Sequence, residues 1–204
     1  MKDLLERHGE GLWRAGIEHF LLAAVAVAAG SLAALVVSVL VGRSRRLDTL
    51  ARFIGGAVTL ASPAVLVIAL ATGPTSRAKA LILLAVGAAG QVTRGTLTGL
   101  GAVNAAVNLT ATAIGMTNRQ RIVHVGFPSA WPAMVAAVRW SAFACSAVVL
   151  AFPDAFEGGL GSVIRTSTTT RDNGLLAGTI VAAVVVAFVL DLVVRSAGRI
   201  VRKP

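Results

Sequence analysis

Acidic and aromatic side chains are scarce in this 204-residue chain. It has no tyrosine, three tryptophans (Trp13, Trp131 and Trp140), and nine Asp and Glu against nineteen Lys and Arg. A single cysteine, Cys145, excludes an intrachain disulfide and a cysteine-based metal cluster. His8, His19 and His124 lie far apart with no ligand spacing, so no metal site is expected. The chain holds no Gly-x-x-x-x-Gly-Lys-Ser/Thr, so it is not its own nucleotide motor. A serine in Gly-x-Ser-x-Gly is missing too, as is a pair of acids on one intramembrane face. Neither an enzyme nor a cofactor bound to this chain is expected.

What the chain does have is grease. It is 56% hydrophobic and only 14% charged, with a mean hydropathy of +0.80. Strand-like alternation is absent, which argues against a β-barrel. Crossing hydrocarbon takes about 20 apolar residues as a helix, and five such runs can be placed: 19–41, 50–71, 80–100, 132–152 and 174–194. The net charge of +10 then marks the cytoplasmic side rather than an affinity for nucleic acid. Arg43, Arg45 and Arg46 follow the first run, and Arg195, Arg199, Arg202 and Lys203 follow the last. The expectation is an all-α membrane protein with its N-terminus outside and its C-terminus inside.

Residues 1–17 read as an amphipathic helix lying on the membrane surface, with Trp13 at the headgroup boundary. Residues 18–204 form the transmembrane domain. Within the second run, Ser62-Pro63 predicts a bent helix, and with Thr59 supplies candidate pathway residues. Arg94 reads as a cation snorkelling to the inner boundary. Arg139 and Trp140, placed near the start of the fourth span, read as an interfacial anchor. Asp191 and Arg195, four apart, suit a structural ion pair. Residues 153–173 form a polar outer segment with an amphipathic piece at Leu160, Val163 and Ile164.

A polar island, 103–131, interrupts the pattern. It predicts a short helix over 104–114, a break at Gly115, a basic turn (Thr117-Asn118-Arg119-Gln120-Arg121), and a proline-marked start to the next long helix at Pro128 and Pro132. His124 within it reads as a solvated loop histidine. An island of this kind in the middle of a membrane protein is expected to meet something soluble.

The island resembles the cytoplasmic coupling segment of binding-protein-dependent ABC importer permeases. In that family a Glu-Ala-Ala is followed by three residues, a glycine, a basic stretch and a Leu-Pro. Here Leu109-Thr110-Ala111 stands at the Glu-Ala-Ala, Gly115 at the glycine, and Phe127-Pro128 at the Leu-Pro. Ile114-Gly115-Met116-Thr117-x-x-Gln120 and Pro128-x-x-x-Pro132 are similar to the glycine betaine/carnitine/choline (osmoprotectant) permeases. So are Arg43-Ser44-Arg45-Arg46-Leu47, Ser62-Pro63, Arg94-x-Thr96-x-Thr98-Gly99-Leu100, Gly158-Gly159-Leu160-Gly161 and Asp191-Leu192. The departures are Leu109 in place of the glutamate, and PDAFE before Gly158 where the family has small residues.

The resemblance implies a five-helix core related to the methionine-type permease, in the cell membrane. It implies a second permease subunit, a cytosolic ABC ATPase dimer carrying ATP and magnesium, and an outer substrate-binding protein. Leu109, Thr110, Ala111, Gly115, Met116, Arg119, Arg121 and Pro128 would form the ATPase-coupling site. The cargo it implies is a small osmoprotectant or quaternary amine. The alternatives are a methionine or other amino-acid permease and a non-transporting scaffold of the same fold. A secondary transporter is disfavoured, because no span but the last holds an acid that could couple an ion.

Overall fold

Small residues decide how closely the helices of this chain approach one another. The computed structural model describes residues 2–41, 76–156 and 158–201. Every regular element among them is helical: α1 (Lys2–Val41), α2 (Arg77–Gly101), α3 (Ala105–Ala113), α4 (Asn118–Arg121), α5 (Phe127–Ala151), α6 (Pro153–Phe156), α7 (Gly159–Thr170) and α8 (Asn173–Val201). A π turn, Ile122–Gly126, joins α4 to α5. Four stretches of the described residues are long and apolar enough to cross a membrane: Gly9–Ser38, Arg77–Gly101, Arg119–Ala151 and Asn173–Arg199. The expected span at 50–71, and with it Thr59, Ser62 and Pro63, lies outside the described residues.

Contacts fix the helix directions. Gly95 and Gly99 of α2 face Ala137 and Ala130 of α5, so these two are antiparallel. Gly30 of α1 sits against Ala85, Ala88 and Ala89 of α2, while Ser31 and Leu35 share a cavity wall with Val92. Hence α1 and α2 run the same way. Gly16 lies beside Val186 and Gly178 beside Leu12, so α8 is parallel to α1. The end of α2, the island, and the end of α8 therefore share one end of the bundle. The start of α2, α6 and α7 share the other.

The core is built at the crossing of α1, α2 and α5. Leu22, Ala26 and Val27 meet Ala80, Leu84 and Ala88, and Ala142, Cys145 and Val149 close the third side. Alanine and glycine dominate because lipid tails supply no hydrophobic drive between helices, so close backbone packing has to do the work. Two polar contacts tie α1 to other helices. His19 of α1 bonds the Ser146 hydroxyl of α5 at 2.8 Å, and both are buried. Next to it the Glu18 carboxylate accepts from the Gly159 amide at 3.2 Å and so caps α7. Gly159, with φ +71°, tolerates the turn into that helix. Gly161 lets α7 lie against the carbonyls of Val149 and Leu150.

Two sequence expectations are corrected. The surface helix expected over 1–17 is not a separate element: α1 continues unbroken from Lys2 to Val41. Ala15 is buried against Leu160 and Ala183, and Leu12 packs on the same cluster, so that part of α1 belongs to the bundle. The fourth span also starts before Pro132. α5 begins at Phe127 with Pro128 in its first turn, as a proline-marked start predicts. The helical run nevertheless reaches back through the π turn to Asn118, and Pro132 lies inside the helix. A Pro128 ring would press on the His124 carbonyl in a regular turn, and the wider π turn just before it relieves that clash. Arg139 and Trp140 consequently sit deep in the span, well beyond its inner boundary.

A Cβ added at Gly30 would stand 2.5 Å from the Ala85 carbonyl oxygen and 2.9 Å from the Ala89 nitrogen, both backbone atoms that cannot move aside. Gly30→Ala should therefore destabilise the detergent-purified protein by about 1–3 kcal/mol through overpacking. Gly11→Ala, with nothing within 4 Å, should leave the melting temperature unchanged or slightly raised. Equal melting temperatures for the two variants would refute the close α1–α2 crossing.

Candidate docking helix and intramembrane charge layer

The island folds into a compact protruding element whose ends are both closed. Asn104 caps α3, its side-chain oxygen accepting from the Ala106 amide at 2.9 Å. At the other end Gly115 turns left-handed, with φ +79°. There its amide donates to the Thr112 carbonyl at 3.0 Å, and the Met116 amide donates to Ala111 at 3.1 Å. That is a complete Schellman closure, and it needs glycine at the turning residue.

Thr117 then starts α4. Its amide and hydroxyl engage the Gln120 side-chain oxygen at 2.9 and 3.0 Å, and the Gln120 amide reaches back to the hydroxyl. This reciprocal box begins a helix where a basic turn was expected. Arg121 donates to the Thr112 hydroxyl at 3.1 Å, which braces α4 against α3.

Ala111 of α3 is buried. Ala106, Leu109 and Ala113, spaced three and four residues apart, share the opposite face. Leu109 is 71% exposed and is the large side chain of that face, with exposed alanines on either side. Ile114 is 67% exposed at the helix end. Thr110, Arg119 and Pro128 are exposed, and Met116 is half-buried. The structure thus brings the expected coupling residues of the described chain to one end. Arg121 is turned inward on Thr112, and Pro128 belongs to the helical run behind.

Four charges of α2, α5 and α8 gather at one level. Asp191 of α8 is 5% exposed and takes two guanidiniums: Arg139 of α5 at 2.5 Å and Arg195, one turn on, at 2.6 Å. Gly95 faces Ala137, so Arg94 of α2 lies at the same height. That height is about 12 Å above Trp131 at the helical rise of 1.5 Å per residue. Below the layer, the Trp131 indole donates to the Gly198 carbonyl at 2.9 Å, and Gly198 lies against Val135, pinning α8 to α5. Sequence reasoning found the Asp191–Arg195 pair from its spacing and missed Arg139. The missing signal was the depth of Arg139, hidden by starting the fourth span too late. Among the described residues no group of three or more His, Cys, Asp or Glu is placed to hold a metal.

Comparison with known proteins follows the same outline. The family model described as "Binding-protein-dependent transport system inner membrane component" matches residues 16–203. Two solved structures of the inward-facing MetNI methionine ABC transporter are similar over the whole of both chains, at 18% identity. The CY5 native crystal form gives a TM-score of 0.70 and the CY5 SeMet soak form 0.71. No curated protein matches at a significant level.

The charge layer makes a measurable demand. Asp191→Ala leaves two guanidiniums facing each other without an anion, and should destabilise the protein by about 3–5 kcal/mol, as breaking a buried pair does. Arg195→Ala spares the Arg139–Asp191 bond and removes a half-exposed partner, so its effect should stay below about 1 kcal/mol. Thermal unfolding of the two purified variants checks this. Equal losses would overturn the ranking of the two bonds.

Proposed function

The chain belongs to the binding-protein-dependent transport system inner membrane components, and from that membership we propose how it works as the permease subunit of an ABC importer. It is a multi-pass inner-membrane protein with the fold of a methionine-type permease. It is the conduit, and hydrolysis takes place on a separate cytosolic ATPase dimer that holds ATP and magnesium. A second permease subunit completes the path, and an outer binding protein delivers the cargo.

The observation that carries this reading is α3. A nine-residue helix, capped at Asn104 and closed at Gly115, stands exposed at the end of the bundle that also holds Arg199 of α8. Lying in a groove of the ATPase with Leu109 foremost, it moves as a rigid unit when nucleotide closes the dimer. The family's glutamate is replaced by Leu109, so contact at that point is apolar rather than charge-assisted. Arg119 is free to meet acids on the rim of the ATPase.

The motifs favour a small osmoprotectant or quaternary amine as cargo: glycine betaine, choline or carnitine. With no tyrosine and three tryptophans, a full aromatic cage of several rings around a trimethylammonium group belongs on the binding protein. The second reading is a methionine or other amino-acid permease, favoured by the fold shared with the methionine transporter. Recovery of an ATP-hydrolysing partner with the purified chain would eliminate the scaffold reading.

Gly115→Val tests the lever. A β-branched residue resists φ +79° and opens the Schellman closure. Uptake in proteoliposomes should fall by roughly tenfold or more, equivalent to ~1.4 kcal/mol, while ATP hydrolysis and membrane insertion persist. Wild-type uptake by this variant would count against α3 as the transmitting element.

A further inference from the structure

Between α2 and α5 runs an open groove of about 670 Å³, within the size range of small-molecule sites. Its floor is small: Gly95, Ala133, Ala136 and Ala137. Its rim is not. Arg94 and Thr98 stand on the α2 side, and Trp140 and Phe143 on the α5 side. The two rings are 6.3 Å apart and tilted by 59°, and Trp140 is 72% exposed. Gln91 lines the same groove, and its side-chain oxygen is buried with no hydrogen-bond partner.

Arg94 is the telling residue. Arg139 and Arg195 at its level share Asp191. Arg94 has no ion-pair or hydrogen-bond partner among the described residues. A cation inside a membrane span normally finds an anion or a water-filled cavity. A lipid tail in the groove would leave the guanidinium unpaired. A second copy packed face to face on this groove would bring two unpaired guanidiniums into one interface.

Resting on the importer reading, we propose that this groove is a substrate station for a small solute that carries a carboxylate. Arg94 binds the carboxylate through its planar fork. Trp140 and Phe143 offer ring faces to the opposite, apolar or quaternary-ammonium end. The Gln91 amide completes the polar contacts. The cargo class narrows accordingly. Betaine-type zwitterions and amino acids fit this arrangement. A bare cation such as choline lacks the group that Arg94 requires and meets its charge instead.

Equilibrium binding to the permease–ATPase complex, purified whole and without its binding protein, tests the station separately from transport. The probes are tritiated glycine betaine, carnitine, L-methionine and choline, in nanodiscs of phosphatidylcholine with or without phosphatidylglycerol. At least one carboxylate-bearing probe should bind, quench the Trp140 fluorescence that Trp140→Phe removes, and be bound more tightly than choline. Arg94→Gln should weaken it by about tenfold or more, as loss of a charge-assisted hydrogen bond does, and Arg94→Lys should recover part of that loss. Binding of none of the probes overturns the proposal, as does choline binding equally well or an unaffected Arg94→Gln. So does a dependence on Arg94 seen only with phosphatidylglycerol, which would assign the guanidinium to a lipid phosphate. Intact binding with no uptake would instead sink the importer reading and leave the station standing.

Discussion

Hydrocarbon offers no partner to a peptide group or a charge, and the architecture follows from that one constraint. Backbone amides and carbonyls inside a bilayer must pair within their own segment, so the spans are helices. Helices surrounded by lipid gain little from apolar contact alone, so they are held by close approach and by polar bonds. Both devices are visible. Gly30, Gly95 and Gly99 bring backbones to distances at which a methyl group has no room. Between these crossings, His19 with Ser146, Trp131 with Gly198, and Asp191 with its two arginines tie α1, α5 and α8. The outer side of α8, with Val181, Val185, Phe188 and Leu192 exposed, is apolar and needs no such bonds.

At the polar end the rule is reversed. Water can satisfy backbone groups there, so a helix as short as α3 needs a reason to be rigid. Local chemistry provides it. Asn104 and Gly115 close its two ends, and Thr117 with Gln120 opens the next helix three residues later. These caps use side chains and backbone atoms within a few residues, so the element keeps its shape without burial. That independence lets an exposed helix be held at the edge of the bundle as a single piece.

Much of this was legible in the sequence, and the misreadings have a common cause. Hydropathy located the long helices. Gly115 and the polar residues around it located the break after α3, because a glycine at such a turn is a backbone requirement rather than a packing preference. Proline misled in part. Pro128 does lie in the first turn of α5, but Pro132 lies inside the helix, and the helical run reaches back through the π turn 122–126. Starting the span too late then placed Arg139 at a boundary and concealed its bond to Asp191. The break expected near residue 18 failed for a related reason: charges at the start of α1 look like a surface helix, while Ala15 and Glu18 are already packed against α7 and α8. Contacts between helices distant in sequence leave no periodic signal.

If α3 is the coupling element proposed above, the same geometry sets its route into the bundle. Motion of α3 leaves through Gly115 into α4, where Arg121 on Thr112 resists bending between the two. From α4 it enters the π turn, whose bonds span five residues rather than four and whose following prolines donate no amide. The turn is therefore wider than a regular helical turn, and Pro128 after it contributes no amide bond. Above it the path stiffens, because Trp131 and Arg139 both bind α5 to α8, and Gly95 and Gly99 lock α5 to α2. In the proposed lever, a displacement of α3 reaches α5 through residues 122–128, and the bonds that tie α5 to α2 and α8 link it to the groove that holds Arg94.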